Sequence, residues 1–200
     1  MTGYAYRRMT PEQRREVLDY RRLMNFPLHA PPHFTRDSNL YLLTATNYEH
    51  RHIMREEERR TSFEQELLEM IAGIQDAEIY AWCILPNHYH VLARINLVLF
   101  REKIWRLHNG TSTRWNREEN LIGYRKVWHQ FTDRGIRNEA HFWTTLNYIH
   151  FNPVKHGYVE AAELWRNSSI HLYFDEYTED EMELLVKGYP LLDYGKGWDW

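Results

Sequence analysis

Cysteine is almost absent from this chain: Cys83 is the only one in 200 residues. That excludes an intramolecular disulfide framework and any zinc site built from several thiolates. No apolar stretch reaches the eighteen or so residues that a membrane span requires. The opening residues, Met1-Thr2-Gly3-Tyr4-Ala5-Tyr6-Arg7-Arg8, lack the hydrophobic region of a signal peptide. The expectation is a cytoplasmic protein with no membrane association. A basic excess is missing too, with 25 basic against 28 acidic side chains and a net charge of -3. The charge is unevenly spread. Residues 171–200 hold eight acids against Lys187 and Lys196, so residues 1–170 carry 23 basic and 20 acidic side chains. A weakly basic body with an acidic tail permits a polyanion partner without demanding one. No internal repeat or low-complexity segment is present.

What is there suits one domain with additions, at 43% hydrophobic and 26% charged residues. Thr10, Pro11 and Gln13 mark the start of a helix reaching about Asn25, and the segment from Phe26 to Pro32 reads as a linker. Leu40 to Thr46 is β-rich. Glu56 to about Ile74 has helical spacing, with Phe63, Leu67, Met70, Ile71 and Ile74 on one side. Glu78 to Leu85 and His88 to Ile95 read as strands around a Pro86-Asn87 turn. Leu97 to Trp115 holds a helix expected to break near Asn109-Gly110. Lys126 to Thr132 is read as a strand, and Glu139 to Asn152 as a helix that Pro153 ends. The order β-α-β-β-α-β-α predicts an α+β, ferredoxin-like split βαβ unit, an antiparallel sheet with helices on one face, plus a C-terminal helix and an N-terminal helical extension.

Two motifs bear on chemistry. His88-Tyr89-His90 places two imidazoles on one face of a strand, where both can ligate one divalent ion. Twelve histidines in 200 residues yield about one such pair by chance, and His50-Arg51-His52 is a second. Setting separates them: His88 and His90 lie in a core hairpin, whereas His50 and His52 sit among polar residues and read as a solvated loop. On the helix before Pro153, Phe142, Leu146 and Ile149 form an apolar stripe. His141, Thr145, Tyr148 and Asn152 share a second face about 100° away. A phenol and a carboxamide there could face one metal centre.

The stretch Cys83-Ile84-Leu85-Pro86-Asn87-His88-Tyr89-His90-Val91-Leu92, with Leu146-Asn147-Tyr148-Ile149-His150-Phe151-Asn152-Pro153-Val154-Lys155-His156-Gly157, closely resembles the REP-associated tyrosine transposases. These are relatives of the single-tyrosine HUH transposases. Trp128 to Asn138 and the Trp165…Ser168-Ser169-Ile170-His171 close resemble the same family, over roughly residues 38–173. The resemblance implies that His88, His90 and Asn152 are metal ligands, with Mg²⁺ or Mn²⁺ as the ion, and that Tyr148 is the nucleophile. It implies a 5′-phosphotyrosine intermediate, a free 3′-hydroxyl, and single-stranded, hairpin-forming repeat DNA as partner. A monomer is favoured over a homodimer. The expected division is residues 1–37 as extension and linker, 38–173 as nuclease domain and 174–200 as an acidic, aromatic tail.

The residue types suit such a reaction. Neutral ligands leave the charge of a divalent ion available to a phosphoryl oxygen, and a phenol with a pKa of about 10 needs help to attack at neutral pH. No second tyrosine lies one helical turn from Tyr148, which disfavours a paired-tyrosine enzyme. Single-strand binding calls for aromatics among basic side chains. The candidates are Arg101, Lys103, Arg106, Arg114 and Arg117 with Trp105 and Trp115, then Arg134, Arg137 and Lys155. The main alternative is a non-catalytic protein of the same fold that binds nucleic-acid hairpins. A small-phosphoester hydrolase is a further rival, but no Asp or Glu flanks His88 or His90 to act as its base.

Overall fold

In the computed structural model the described residues are Thr10, 39–121 and 125–196. The helix expected from Thr10 to Asn25, beyond Thr10 itself, and the linker after it lie outside them. The body runs β1 (Leu40–Thr46), α1 (Glu57–Ala72), β2 (Glu78–Ile84), β3 (His88–Arg94), α2 (Leu97–Glu118), β4 (Thr132–Gly135) and α3 (Glu139–Lys155). Two short helices follow, α4 (Ile170–Glu176) and α5 (Glu179–Gly188). The four strands form one sheet in the order β2-β3-β1-β4 with every pairing antiparallel. This is the expected α+β, split βαβ arrangement.

Alternation along the strands sorts the layers. Leu43, Ala45, Tyr89, Val91 and Ala93 face a core shared with Phe63 and Leu67 of α1 and Phe100, Ile104 and Trp115 of α2. Leu40, Leu42, Ala81, Cys83 and Leu92 face the opposite way, against Phe142, Leu146 and Ile149 of α3. The two crossover helices thus share one face, as expected, and the added helix covers the other. Residues 165–169 line the outer edge of β2: Asn167 accepts from the Ile84 amide at 2.9 Å and Trp82 O from the Ser169 amide at 3.0 Å. An otherwise open sheet edge is closed in this way.

Three boundaries differ from expectation. The helix α2 is continuous through Asn109-Gly110. Isolated glycine weakens a helix by only about 1 kcal/mol, and the buried row Phe100, Ile104, His108, Thr111 and Trp115 outweighs that. The last strand is Thr132–Gly135, not Lys126–Thr132. Val127 and Trp128 are buried as their hydrophobicity predicts, but they run past the end of β1, where Trp128 makes one bridge to Asn47. The ladder with β1 is made by the four exposed residues of β4, which show no alternation to read. Finally, α3 does not stop at Pro153. Proline there forfeits one hydrogen bond in the last turn. The end is set by Gly157 at φ +70, with Tyr158 N donating to Pro153 O at 2.9 Å and Gly157 N to Val154 O at 2.9 Å, a Schellman motif.

Candidate active site

The site forms where β3 meets α3. His88 and His90, two residues apart, project toward α3 with ring centroids 5.0 Å apart. Asn138 caps α3 by accepting from the His141 amide at 2.9 Å, and the apolar stripe seats the helix on the sheet. Tyr148 and Asn152, one turn apart, then reach the histidines. His88 Nε2 lies 3.1 Å from Asn152 Oδ1, and His90 Nε2 lies 3.5 Å from the Tyr148 hydroxyl. All four residues are buried.

Each imidazole is oriented from behind. His88 Nδ1 is 2.7 Å from Asn87 Oδ1, an acceptor, so the proton of a neutral ring sits on Nδ1 and the Nε2 lone pair faces Asn152. That lone pair then confronts the carbonyl oxygen of Asn152, and Asn152 Nδ2 is buried with no hydrogen-bond partner. Two acceptors facing each other in a buried place are unfavourable alone and favourable around a cation. The donor set fits a divalent ion held by His88, His90 and Asn152. His90 Nδ1 is 2.7 Å from Thr44 Oγ1, in register with it across the β1–β3 pair. Outer contacts of this kind fix tautomer and ring plane at metal-binding histidines. Among the described residues no group of three or more His, Cys, Asp or Glu could hold an ion.

The tyrosine is covered. Tyr194 lies against it with ring centroids 5.5 Å apart, and Lys155 Nζ stands 4.9 Å over the Tyr148 ring. The same ammonium donates to Gly195 O at 3.2 Å. The Tyr194 hydroxyl lies 2.5 Å from Thr145 Oγ1 and 3.0 Å from His141 Nε2. Gly195 has φ +77 and packs so closely that a Cβ there would come 2.1 Å from Tyr148 Cε2. Burial holds the His141 imidazole below its ordinary value, with help from the charges of Arg137 and Arg134. Burial likewise raises the Tyr194 phenol.

Of the basic candidates, Lys155 stands directly over the tyrosine ring. Arg134 and Arg137 act on His141 and Tyr194 beside it. Arg101, Lys103, Arg106, Arg114 and Arg117 lie on α2, across the sheet. Arg106 pairs with Glu102 at 2.6 Å and Arg114 with Glu66 at 2.5 Å, Lys103 donates to Gly73 O at 3.3 Å, and Trp115 is core. The second histidine pair falls in a short 3-10 turn and the exposed residues after it, as expected. Sequence reading missed Asn87, Thr44 and the Tyr194-Gly195 cover. Asn87 adjoins His88 and was open to notice; the other two depend on pairing and docking that no local pattern encodes.

Comparison with known proteins agrees with the fold. The profile of the family described as "Transposase IS200 like" matches residues 36–150, a span that contains His88, His90 and Tyr148. A Haemophilus influenzae protein provisionally assigned as a REP-associated tyrosine transposase is 30% identical over 126 residues, 56% of this chain and 72% of that protein. The REP-associated tyrosine transposase of Escherichia coli K12 is 32% identical over 102 residues, 47% of this chain and 54% of that protein. A solved REP-associated tyrosine transposase, bound to a REP hairpin, superposes with a TM-score of 0.51 at 20% identity. It covers 67% of this chain and 78% of its own, and shares the fold. The chain belongs to the IS200-like transposase family, alongside the REP-associated tyrosine transposases.

Proposed function

We propose that the protein is a metal-dependent endonuclease and strand transferase of single-stranded DNA that forms a 5′-phosphotyrosine, on DNA able to fold into hairpins. The observation that carries the reading is the meeting of Tyr148 and Asn152 with His88 and His90, two residues on a helix and two on a strand far apart in sequence. Asn152, His88 and His90 would hold Mg²⁺ or Mn²⁺, which supplies charge neutralisation at a phosphoryl oxygen. Tyr148 Oη forms the new bond to phosphorus as the bond to the 3′-oxygen breaks. The phenolic proton is released and the departing 3′-oxygen takes up one. One phosphoester replaces another, so a 3′-hydroxyl can reverse the step and join a different strand. Lys155 sets a positive charge beside the ring on which negative charge develops. Asn87 and Thr44 keep the imidazoles aimed at the centre.

The hairpin preference draws on the solved relative, which is bound to a REP hairpin. The test uses a 3′-labelled hairpin with single-stranded flanks, incubated with Mn²⁺ and resolved under denaturing conditions. Wild type is expected to yield a protein-linked label and Tyr148→Phe none. Binding of the hairpin by wild type with no adduct under any divalent ion would make the protein a non-catalytic hairpin binder.

A further inference from the structure

On the opposite side of the sheet, between α2 and residues 126–133, lies a cavity of about 510 Å³ that has no part in the site above. Its volume is that of a small-ligand site. The back wall is an aromatic stack, His108 on Trp128 with ring centroids 4.4 Å apart and planes 10° apart. The wall is locked from behind: Trp128 Nε1 donates to Thr111 Oγ1 at 3.0 Å and the Tyr89 hydroxyl lies 3.2 Å from His108 Nε2. Burial holds His108 neutral, with its pKa lowered to about 3, so the cations lining the cavity are Arg101 and Lys126. Trp105 lies at the mouth, 67% exposed. An indole left in water at the rim of a polar cavity is a common binding anchor. Asn109 and Gln130 add carboxamides, each with a donor and an acceptor. The one lining carboxylate, Asp133, is paired with Arg101 at 3.6 Å, an exposed contact that a phosphate could replace.

The cavity adjoins the end of β1 that also pairs with the histidine strand. His129, on its wall, donates its amide to Thr46 O at 2.9 Å, and Thr46 is the register partner of His88. The cavity wall and the histidine pair therefore meet at the same end of β1, beside the edge strand β4.

We propose that this cavity is a subsite for one unpaired nucleobase of the single strand adjoining the cleaved phosphodiester. The base stacks on Trp105, Asn109 and Gln130 meet its edge, and Arg101 and Lys126 hold its flanking phosphates. An aromatic platform, amide groups able to read a base edge and cations able to meet phosphates are the elements of single-strand recognition. The inference rests on the nuclease reading for the path of the strand, and its test is separable from that reading.

The test is fluorescence anisotropy with a hairpin oligonucleotide bearing a short mixed-sequence tail, the same hairpin without the tail, and tails carrying one abasic position at each step. In wild type, one abasic position is expected to weaken binding about tenfold, the size of one stacked base. Trp105→Ala weakens the tailed hairpin by a similar factor, leaves the blunt hairpin unchanged and adds nothing to the loss at that abasic position. Trp105→Phe retains most of the affinity. Gln130→Ala, a second variant at the cavity wall, shows the same coupling to that position. Equal losses on tailed and blunt hairpins, additive effects of base and side chain, or no sensitive position would each overturn the proposal. Coupling without any Tyr148 adduct leaves the subsite standing and removes the nuclease reading; an adduct without coupling does the reverse.

Discussion

Replacing Gly195 by valine should uncover Tyr148. A Cβ at this position would stand 2.1 Å from Tyr148 Cε2 and 2.8 Å from Cδ2 and Cζ, with the backbone at φ +77. A side chain at positive φ costs about 1–2 kcal/mol, and crowding a packed ring adds roughly 1–3 kcal/mol. Against this stand the contacts that hold the segment: Lys155 to Gly195 O, and the Tyr194 hydroxyl to Thr145 and to His141. At about 1 kcal/mol net for each hydrogen bond, they supply roughly 3 kcal/mol. The two sums are comparable, so a substantial share of the molecules should have the segment undocked. The sheet and α3 do not depend on it, and the melting temperature should move little. Tyrosine nitration followed by peptide mass spectrometry reads the effect directly. Tyr148 is fully buried in the wild type and should react slowly there and rapidly in Gly195→Val, with faster adduct formation on hairpin DNA. Gly110→Ala is the matched control, since a Cβ at Gly110 meets nothing within 4 Å; it should leave nitration unchanged and stabilise the helix by about 0.5–1 kcal/mol. Unchanged protection of Tyr148 in a folded Gly195→Val protein would refute the reasoning.

Asn87→Ala removes the acceptor that orients His88 and should weaken Mn²⁺ binding about 10–100-fold by titration calorimetry; unaltered affinity would show that His88 is aimed by other contacts. Acid should destabilise the fold. Burial lowers His108 and His150 to about 3, below the unfolded value of about 6.5, so their contribution is present above that value and lost as pH falls from about 6.5 toward 3. Each should cost about 1.4 kcal/mol between roughly pH 7.5 and 5.5, read as a shift in urea midpoint that His150→Gln makes about half as large. Asn138→Ala deletes the cap of α3 and should lower stability by about 1 kcal/mol; no change in thermal melting would show that packing alone fixes the start of the helix.

Several elements were legible because their signals are local. Leu40–Thr46 matches the expected strand at both ends, the Pro86-Asn87 turn separates the expected hairpin strands, and the α3 stripe identified which helical face meets the sheet. Spacing also put Tyr148 and Asn152 on one side of α3 and the two histidines on one side of β3. The fourth strand was misplaced because hydrophobicity records burial and not pairing. Trp128 and Val127 are buried beyond the end of β1, while polar Thr132–Gly135 makes the ladder.

The sequence by itself determined the residue types of the site and the two faces that carry them, since periodicity within one strand or helix is enough to group side chains. Only the tertiary structure decided that those faces meet, that Thr44 stands behind His90, and that Tyr194 and Gly195 close over the tyrosine. Those contacts span 46 to 64 residues in sequence for the histidine partners. They are set by strand register and helix docking, to which no local pattern is sensitive.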